Sequence, residues 1–226
     1  MNERYIRQTM IPEIGEAGQE KLKNAKVLIV GIGGLGSPIS LYLTAAGVGQ
    51  IGLIDDDIVS KSNLQRQILY TEAEIGQSKV ECACRRLSAL NSSTRFETYP
   101  NRFTPDNANR LVSAYDIIVD GCDNAATRYL IDDVCSRFKK PYVYGSISEF
   151  RGQVSVFNYR GGSRYSDLYP RPEVIPPARP GGVIGTISSC MEAAEVIKII
   201  TGYGEVLSGK LFLLDTQTLQ HEIIEI

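Results

Sequence analysis

Closely spaced glycines after a short apolar run constrain this fold most strongly. Residues 27–36 read VLIVGIGGLG, in which β-branched residues precede the pattern G-x-G-x-x-G and a helix-forming stretch follows. Glycines let the backbone turn tightly and approach phosphates, and a helix N-terminus offers unpaired N–H groups to an anion. Gly31, Gly33, Gly34 and Gly36 are therefore predicted to bind the phosphates of a nucleotide, with a plain tight turn as the alternative.

Short β-branched runs alternate with longer stretches of helical periodicity over the first two thirds of the chain. This alternation is typical of an α/β fold with a largely parallel sheet and right-handed crossovers. The predicted strands are residues 26–30, 50–54, 116–119 and 141–144, and the predicted helices are residues 35–46, 78–90 and 125–138. We therefore predict a Rossmann-like, doubly wound sheet.

The pattern changes after Gly145. Alternating apolar and polar residues at 153–157, 210–214 and 221–226 predict antiparallel strands with one face covered. Residues 161–182 are rich in proline and glycine and predict a long irregular surface loop, after which a helix is expected over 183–200 with Gly202 as its stop. A chain of 226 residues with 43% hydrophobic residues is expected to form a single domain.

Charge and hydropathy exclude two classes of partner. The formal net charge is −2, so no general positive field attracts nucleic acid or an anionic membrane. No apolar run approaches the roughly 20 residues that a membrane-spanning helix needs. Nucleic-acid binding, secretion and membrane insertion are therefore not expected.

Cysteine and histidine usage restricts the chemistry. The five cysteines include no C-x-x-C pair, which fits neither a disulfide framework nor a structural zinc site and favours a reducing cytoplasm. The single histidine, His221, leaves hydrolytic triads and histidine-rich metal sites without their usual residues. Catalysis must therefore depend on carboxylates, amides, lysine, arginine or a thiol.

Acidic and cationic residues follow the second predicted strand. Asp55 lies 24 residues after Gly31, where a ribose hydroxyl would need an acceptor, although a solvated strand end is the alternative. An NAD enzyme would fit equally well up to this point. The next segment adds amide and cationic donors at Asn63, Arg66 and Lys79, a capacity that a triphosphate uses better than a dinucleotide.

A further carboxylate follows the predicted strand at residues 116–119, in the run VDGCDN. The carboxyl ends of parallel strands line the ligand crevice of a doubly wound sheet, so Asp123 can face bound phosphates. A carboxylate beside phosphates is a usual Mg²⁺ ligand. The alternative is a cap for the helix that begins near Ala125, and Asp123 and Asn124 could divide the two roles.

Five ordered motifs carry a family resemblance. The runs RYIRQ, GIGGLG, DDDIVSKSNLQRQ, GQSKVE and DGCDNAATRYLIDD resemble the MoeB/ThiF adenylyltransferases, relatives of the ubiquitin-activating enzymes, from Arg4 to about Gly202. The resemblance implies an ATP site. Its expected residues are Gly31, Gly33, Gly34, Gly36, Asp55, Asp57, Asn63, Arg66, Gln67, Lys79, Asp123 and Asn124.

The resemblance also implies a reaction. The C-terminal carboxylate of a ubiquitin-like sulfur carrier ending in Gly-Gly attacks the α-phosphorus of ATP, which releases pyrophosphate and leaves an acyl-adenylate for thiamine or molybdopterin biosynthesis. Arg66, Lys79 and Asp123 with Mg²⁺ are the expected catalytic groups. Arg7 resembles an arginine that reaches the neighbouring subunit's ATP site, which implies a homodimer.

The chain departs from the family at two places. Many members hold zinc through two C-x-x-C pairs, but residues 163–166 read SRYS and no zinc is expected here. Residues 176–181 read PPARPG and lack the cysteine that forms a covalent link to the carrier in some members, so activation is expected to stop at the adenylate unless another sulfur donor acts. Four further cysteines are expected to be packing residues: Cys82, Cys84, Cys135 and Cys190.

Three alternatives remain open. The adenylated carboxylate could belong to another peptide or a small molecule, because the ATP-site residues do not identify the acyl group. A nucleotide-binding scaffold without catalysis is the second alternative, although all of the expected phosphate-facing residues are present. An NAD oxidoreductase is the third, and the cluster of Asn63, Arg66 and Lys79 argues against it.

Overall fold

The computed structural model describes residues 3–172 and 188–226, which form an eight-stranded sheet with helices on both faces. The strands are β1 (Lys26–Val30), β2 (Gln50–Ile54), β3 (Arg95–Tyr99), β4 (Ile117–Asp120), β5 (Tyr142–Ser148), β6 (Arg151–Phe157), β7 (Lys210–Asp215) and β8 (Gln220–Glu225). The helices are α1 (Ile6–Thr9), α2 (Gly15–Asn24), α3 (Gly36–Ala46), α4 (Lys79–Leu90), α5 (Pro105–Ala114), α6 (Ala125–Phe138), α7 (Tyr165–Leu168) and α8 (Ser188–Thr201).

The strand order is β3-β2-β1-β4-β5-β6-β7-β8. The first five strands run parallel, and β6, β7 and β8 continue the sheet in antiparallel pairing. This arrangement confirms the predicted doubly wound sheet with an antiparallel extension. The order reverses between β1 and β4, and ligands of such sheets bind outside the carboxyl ends of the strands at that point.

The central strands alternate between two hydrophobic clusters, one on each face of the sheet. In β1, Val27 and Ile29 belong to the cluster that includes residues of α3, α4 and α8, whereas Leu28 and Val30 belong to the cluster that includes residues of α5 and α6. Successive side chains of a strand point to opposite faces, so both faces of β1 are covered. This double coverage explains the continuous apolar runs of the sequence.

Several elements lie outside the sequence-based predictions. Three helices, α1, α2 and α5, and the strand β3 were not expected, and α7 lies inside the stretch 161–182 that was expected to be irregular. The remainder of that stretch from 173 onward, and residues 183–187 of the expected last helix, lie outside the described residues. β3 escapes the pattern because its sequence RFETY is mostly polar and only half-buried.

Candidate nucleotide-binding site

Three glycines bring the loop after β1 into direct backbone contact with the end of β4. A Cβ at Gly36 or at Gly121 would lie 2.0 Å from the carbonyl oxygen of Gly31, and Gly31 itself has φ +91°. Only glycine fits such spacing. The contact closes the base of the crevice at the switch point, while Gly33 and Gly34 lie half-buried just before α3 begins.

Asp55 fixes the glycine loop from the end of β2. Its carboxylate accepts hydrogen bonds from the backbone N–H of Ile32 at 2.7 Å and of Asp57 at 2.9 Å. Burial raises the pKa of Asp55, although Lys79 and the two backbone donors oppose the shift. The carboxylate thus supports the glycine loop, and its expected contact with a ribose stays a prediction.

Lys79 begins α4 and reaches back to the acidic segment after β2. Its Nζ lies 2.9 Å from Oδ2 of Asp57; the lysine side chain is 4% exposed and that of Asp57 is 70% exposed. Carboxylate oxygens of Asp55, Asp56 and Asp57 lie within 4.8 Å of one another, and Asp56 is also paired with Arg102 at 3.3 Å. A buried cation therefore lies at the crevice beside exposed negative charge.

The other expected phosphate donors lie on the segment that follows. The carbonyl oxygen of Asn63 accepts hydrogen bonds from the backbone N–H groups of Arg66 and Gln67, which holds these residues in one compact turn. Arg66 makes a long contact of 3.5 Å to the carbonyl of Ser62. Gln67 is buried against Gly33, and within the described residues its Oε1 has no hydrogen-bond partner. Gln67 is therefore held by packing against the glycine loop and is not presented to solvent.

The loop after β4 separates the two roles that the sequence left open. Oδ1 of Asn124 accepts a hydrogen bond from the backbone N–H of Thr127 at 2.9 Å, so Asn124 caps α6. Asp123 is exposed and accepts a hydrogen bond from Asn124 at 3.5 Å. The carboxylate of Asp123 is therefore accessible at the crevice, and magnesium binding stays its predicted role.

The buried ion pair behind this loop was not predicted from the sequence. Asp120, the last residue of β4, is fully buried and accepts from Arg128 Nε at 2.9 Å, Tyr142 Oη at 2.9 Å and the backbone of Cys122 at 2.9 Å. Arg128 also donates to the carbonyls of Cys122 and Gly145. The sequence signal for this pair was Asp120 itself, a second acidic residue three positions before Asp123.

Glu192 on α8 was missed as well. It is fully buried, and neither carboxylate oxygen has a hydrogen-bond partner among residues 3–172 and 188–226. A Cβ on Gly145 would lie 1.9 Å from its Oε1, so the glycine makes room for it. Burial raises the pKa of Glu192 well above its usual value, and the charge of Asp120 adds to the shift while Arg128 opposes it.

The cysteines divide between buried and accessible positions. Cys82 and Cys135 are buried as expected, and Cys84 is half-buried. The expectation for Cys190 was wrong, because Cys190 is exposed on α8. Cys122 is half-buried in the crevice loop, and burial, reinforced by Asp120, raises the pKa of its thiol well above the usual value.

Arg7 lies at the edge of the sheet opposite the crevice. The neighbouring Gln8 donates to the carbonyl of Ala46, the last residue of α3, and Tyr5 accepts from Asn91. The glycine loop precedes the other end of α3, whose 11 residues span about 16 Å. Arg7 is exposed and remote from the glycine loop of its own chain.

The strand order, the glycine loop and the polar residues at the strand ends define a doubly wound fold with a nucleotide-type crevice. Residues 5–226 match the ThiF family, and the chain belongs to that family.

Curated relatives carry related names. The chain is 45% identical over 233 residues to the probable adenylyltransferase/sulfurtransferase MoeZ of Mycobacterium tuberculosis, with 99% of this chain and 59% of MoeZ covered. It is 48% identical to the adenylyltransferase and sulfurtransferase MOCS3 of Culex quinquefasciatus (94% and 50% covered) and 43% identical to the sulfur carrier protein adenylyltransferase of Thermus thermophilus (94% and 83% covered). The chain therefore spans just over half of MoeZ and half of MOCS3.

Solved structures share the fold. Escherichia coli MccB bound to MccA-N7isoAsn superposes with a TM-score of 0.88 at 24% identity, covering 100% of this chain and 72% of MccB. PaaA superposes with a TM-score of 0.83 at 28% identity, covering 99% and 73%. Among the described helices, none is long and apolar enough to cross a membrane.

Proposed function

We propose that this chain adenylylates the C-terminal Gly-Gly carboxylate of a ubiquitin-like sulfur carrier with ATP, for sulfur transfer in thiamine or molybdopterin biosynthesis. The observation that carries the proposal is the carboxyl edge of the sheet, where Gly121, two residues before Asp123, contacts the glycine loop and Lys79 pairs with the acidic segment after β2. The names of the relatives from T. thermophilus and M. tuberculosis support this reaction class. The five free cysteines support a cytoplasmic setting.

The proposed chemistry needs positioning and positive charge more than it needs a base. A C-terminal carboxylate has a pKa near 3.5 and is already an ionised nucleophile at neutral pH. Lys79 and Arg66 supply cations for the phosphates, and phosphate oxygens can replace Asp57 as the partner of Lys79. The single histidine is then no obstacle.

The crevice also suits a magnesium ion that accompanies ATP. Mg²⁺ prefers one or two carboxylates together with waters and phosphate oxygens, and the exposed Asp123 beside the glycine loop offers such a ligand. The ion would neutralise phosphate charge. No zinc is proposed, and elemental analysis that found about one zinc per chain would contradict this part of the proposal.

Substitution of Asp123 tests the proposal. We expect Asp123→Ala to abolish carrier-dependent ATP–pyrophosphate exchange while the circular dichroism spectrum stays unchanged, because Asp123 is exposed and does not cap α6. Asp106→Ala is the matched control, since Asp106 is also an exposed aspartate near a helix start. Exchange by Asp123→Ala above half the wild-type rate would remove Asp123 from the metal role.

We further propose a homodimer in which Arg7 acts in the partner subunit's site. Arg7 is exposed and distant from its own glycine loop, and exposed apolar side chains lie both beside it, at Met10 and Ile11, and along the crevice segment, at Ile58 and Ile68. An arginine supplied from a second subunit would offset phosphate charge as an arginine finger does.

Complementation tests this dimer. Arg7→Ala and Asp123→Ala chains are each expected to be inactive, but a heterodimer of the two would hold one complete site. Random mixing of freely exchanging chains should restore about a quarter of wild-type activity in an isologous dimer. If mass measurement detects heterodimers and no exchange activity returns, Arg7 does not act in trans.

A further inference from the structure

Arg102 lies beside the acidic end of β2, on the side away from β1. Its Nε is 3.3 Å from Oδ2 of Asp56. The last residue of β3, Tyr99, accepts a hydrogen bond from the backbone N–H of Asp55 at 3.3 Å. Arg102 is therefore presented next to the carboxylate that supports the glycine loop and that is expected to bind the ribose.

Hydrogen bonds with the side chain of Asn107 fix the backbone around Arg102. Its carbonyl oxygen accepts a hydrogen bond from Asn107 Nδ2 at 2.8 Å, and Oδ1 of Asn107 accepts from the backbone N–H of Thr104 at 3.0 Å. The side chain itself is 75% exposed. The guanidinium thus extends into solvent from a fixed base, with one edge directed by Asp56.

The strand order gives the direction of a bound nucleotide. In a doubly wound sheet the phosphates lie at the end of β1 and the ribose at the end of the next strand, β2. β2 lies between β1 and β3, so the base extends past the ribose towards the residues that follow β3. Arg102 is three residues beyond the end of β3.

We propose that Arg102 stacks its guanidinium plane on the adenine of bound ATP and forms one wall of the adenine pocket, with Asp56 as its positioning residue. Arginine stacks on aromatic faces through both its planarity and its charge. This inference rests on the proposed function, because it requires ATP in the crevice. A purely structural ion pair at this exposure would contribute little stability and would not affect nucleotide affinity.

Calorimetric titration with MgATP tests the proposal. We expect R102A to raise the dissociation constant about 3- to 10-fold, the range of an exposed to partly desolvated cation–π contact. R102K keeps the charge but loses the planar group, so it should weaken binding nearly as much as R102A. The control is R95A, on the first residue of β3: Arg95 is 72% exposed and also paired with a carboxylate, Glu97 at 2.9 Å. R95A should bind like the wild type.

A double-mutant cycle tests whether Asp56 acts through Arg102. D56A should weaken binding by about 2-fold in the wild type and have no further effect in R102A, because Asp56 acts only through Arg102. Wild-type affinity in R102A or in R102K would overturn the stacking role, even if the wild type binds ATP normally. If the wild type does not bind MgATP, the proposed function and this inference both fail.

Discussion

Two ion pairs, each 2.9 Å long, lie at the carboxyl ends of neighbouring parts of the sheet and differ in which member is buried. In the Lys79–Asp57 pair after β2, the lysine is 4% exposed and the aspartate 70% exposed. In the Arg128–Asp120 pair after β4, the aspartate is 0% exposed and the arginine 13% exposed. The first pair offers its acid to solvent, and the second withdraws both charges.

This difference indicates different roles. Asp120 accepts hydrogen bonds from three donors, and Arg128 also donates to two backbone carbonyls. A ligand therefore cannot take the place of either member of this pair. Asp57 is largely exposed, so it can leave Lys79 for solvent if the proposed phosphate takes its place. We interpret the Asp120 pair as the rigid support of the crevice and the Lys79 pair as its adjustable part.

The largest expected effect follows from breaking the rigid pair. In D120N, the largely buried Arg128 and the phenol of Tyr142 lose their charged acceptor. Loss of one partner of a buried ion pair lowers the free energy of unfolding by about 3–5 kcal/mol. Urea denaturation should therefore show a much lower midpoint for D120N. A loss below about 1 kcal/mol would contradict the supporting role.

A smaller, pH-dependent effect is expected for Glu192, which adjoins the rigid pair. Its folded-state pKa is raised by burial, so the wild-type free energy of unfolding declines as the pH rises from the unfolded pKa, near 4.3, towards the folded value. E192Q removes this titration. The variant should therefore gain stability over the wild type progressively above about pH 4.3, as thermal melts across the pH range would measure.

Equal pH dependence in E192Q and the wild type would show that Glu192 is ionised in the folded protein. Arg128 would then have to balance two acids, and the description of a closed Asp120–Arg128 pair would be wrong.

The smallest effect is expected from the adjustable pair. D57N should cost less than about 1 kcal/mol, because Asp57 is largely exposed and Asp55 remains near the lysine. Urea denaturation in parallel with D120N makes the comparison direct. A destabilisation by D57N as large as that by D120N would mean that Asp57 is structural and cannot yield Lys79 to phosphate.

The sequence predicts the local features of the site better than its long-range contacts. The glycine pattern follows from local turn chemistry, and the strands beside it follow from apolar runs. The structure contains both the glycine turn and these strands. The pairing of Asp120 with Arg128 depends on the end of β4 meeting a helix face, which spacing alone does not give. The burial of Glu192 also depends on a long-range contact, because Gly145 leaves space for its carboxylate. It could therefore not be predicted from local sequence.

The misses of β3 and α5 have different causes. β3 carries mostly polar residues at the edge of the sheet and lacks the apolar signal of β1. The helix α5 has a recognisable start, since Thr104 and Asn107 form a capping box and Pro105 begins the helix. These capping residues are a local sequence signal for α5.

The contact between Gly31 and Gly121 also bears on the order of folding. The two residues are 90 positions apart in sequence, so the glycine motif of β1 remains an incomplete cradle until the distant parallel pairing of β1 with β4 has formed. Such nonlocal pairings close large loops and tend to form slowly. A bound nucleotide would therefore stabilise the centre of the sheet along with the loop, and amide hydrogens in β1 and β4 would be protected from exchange together.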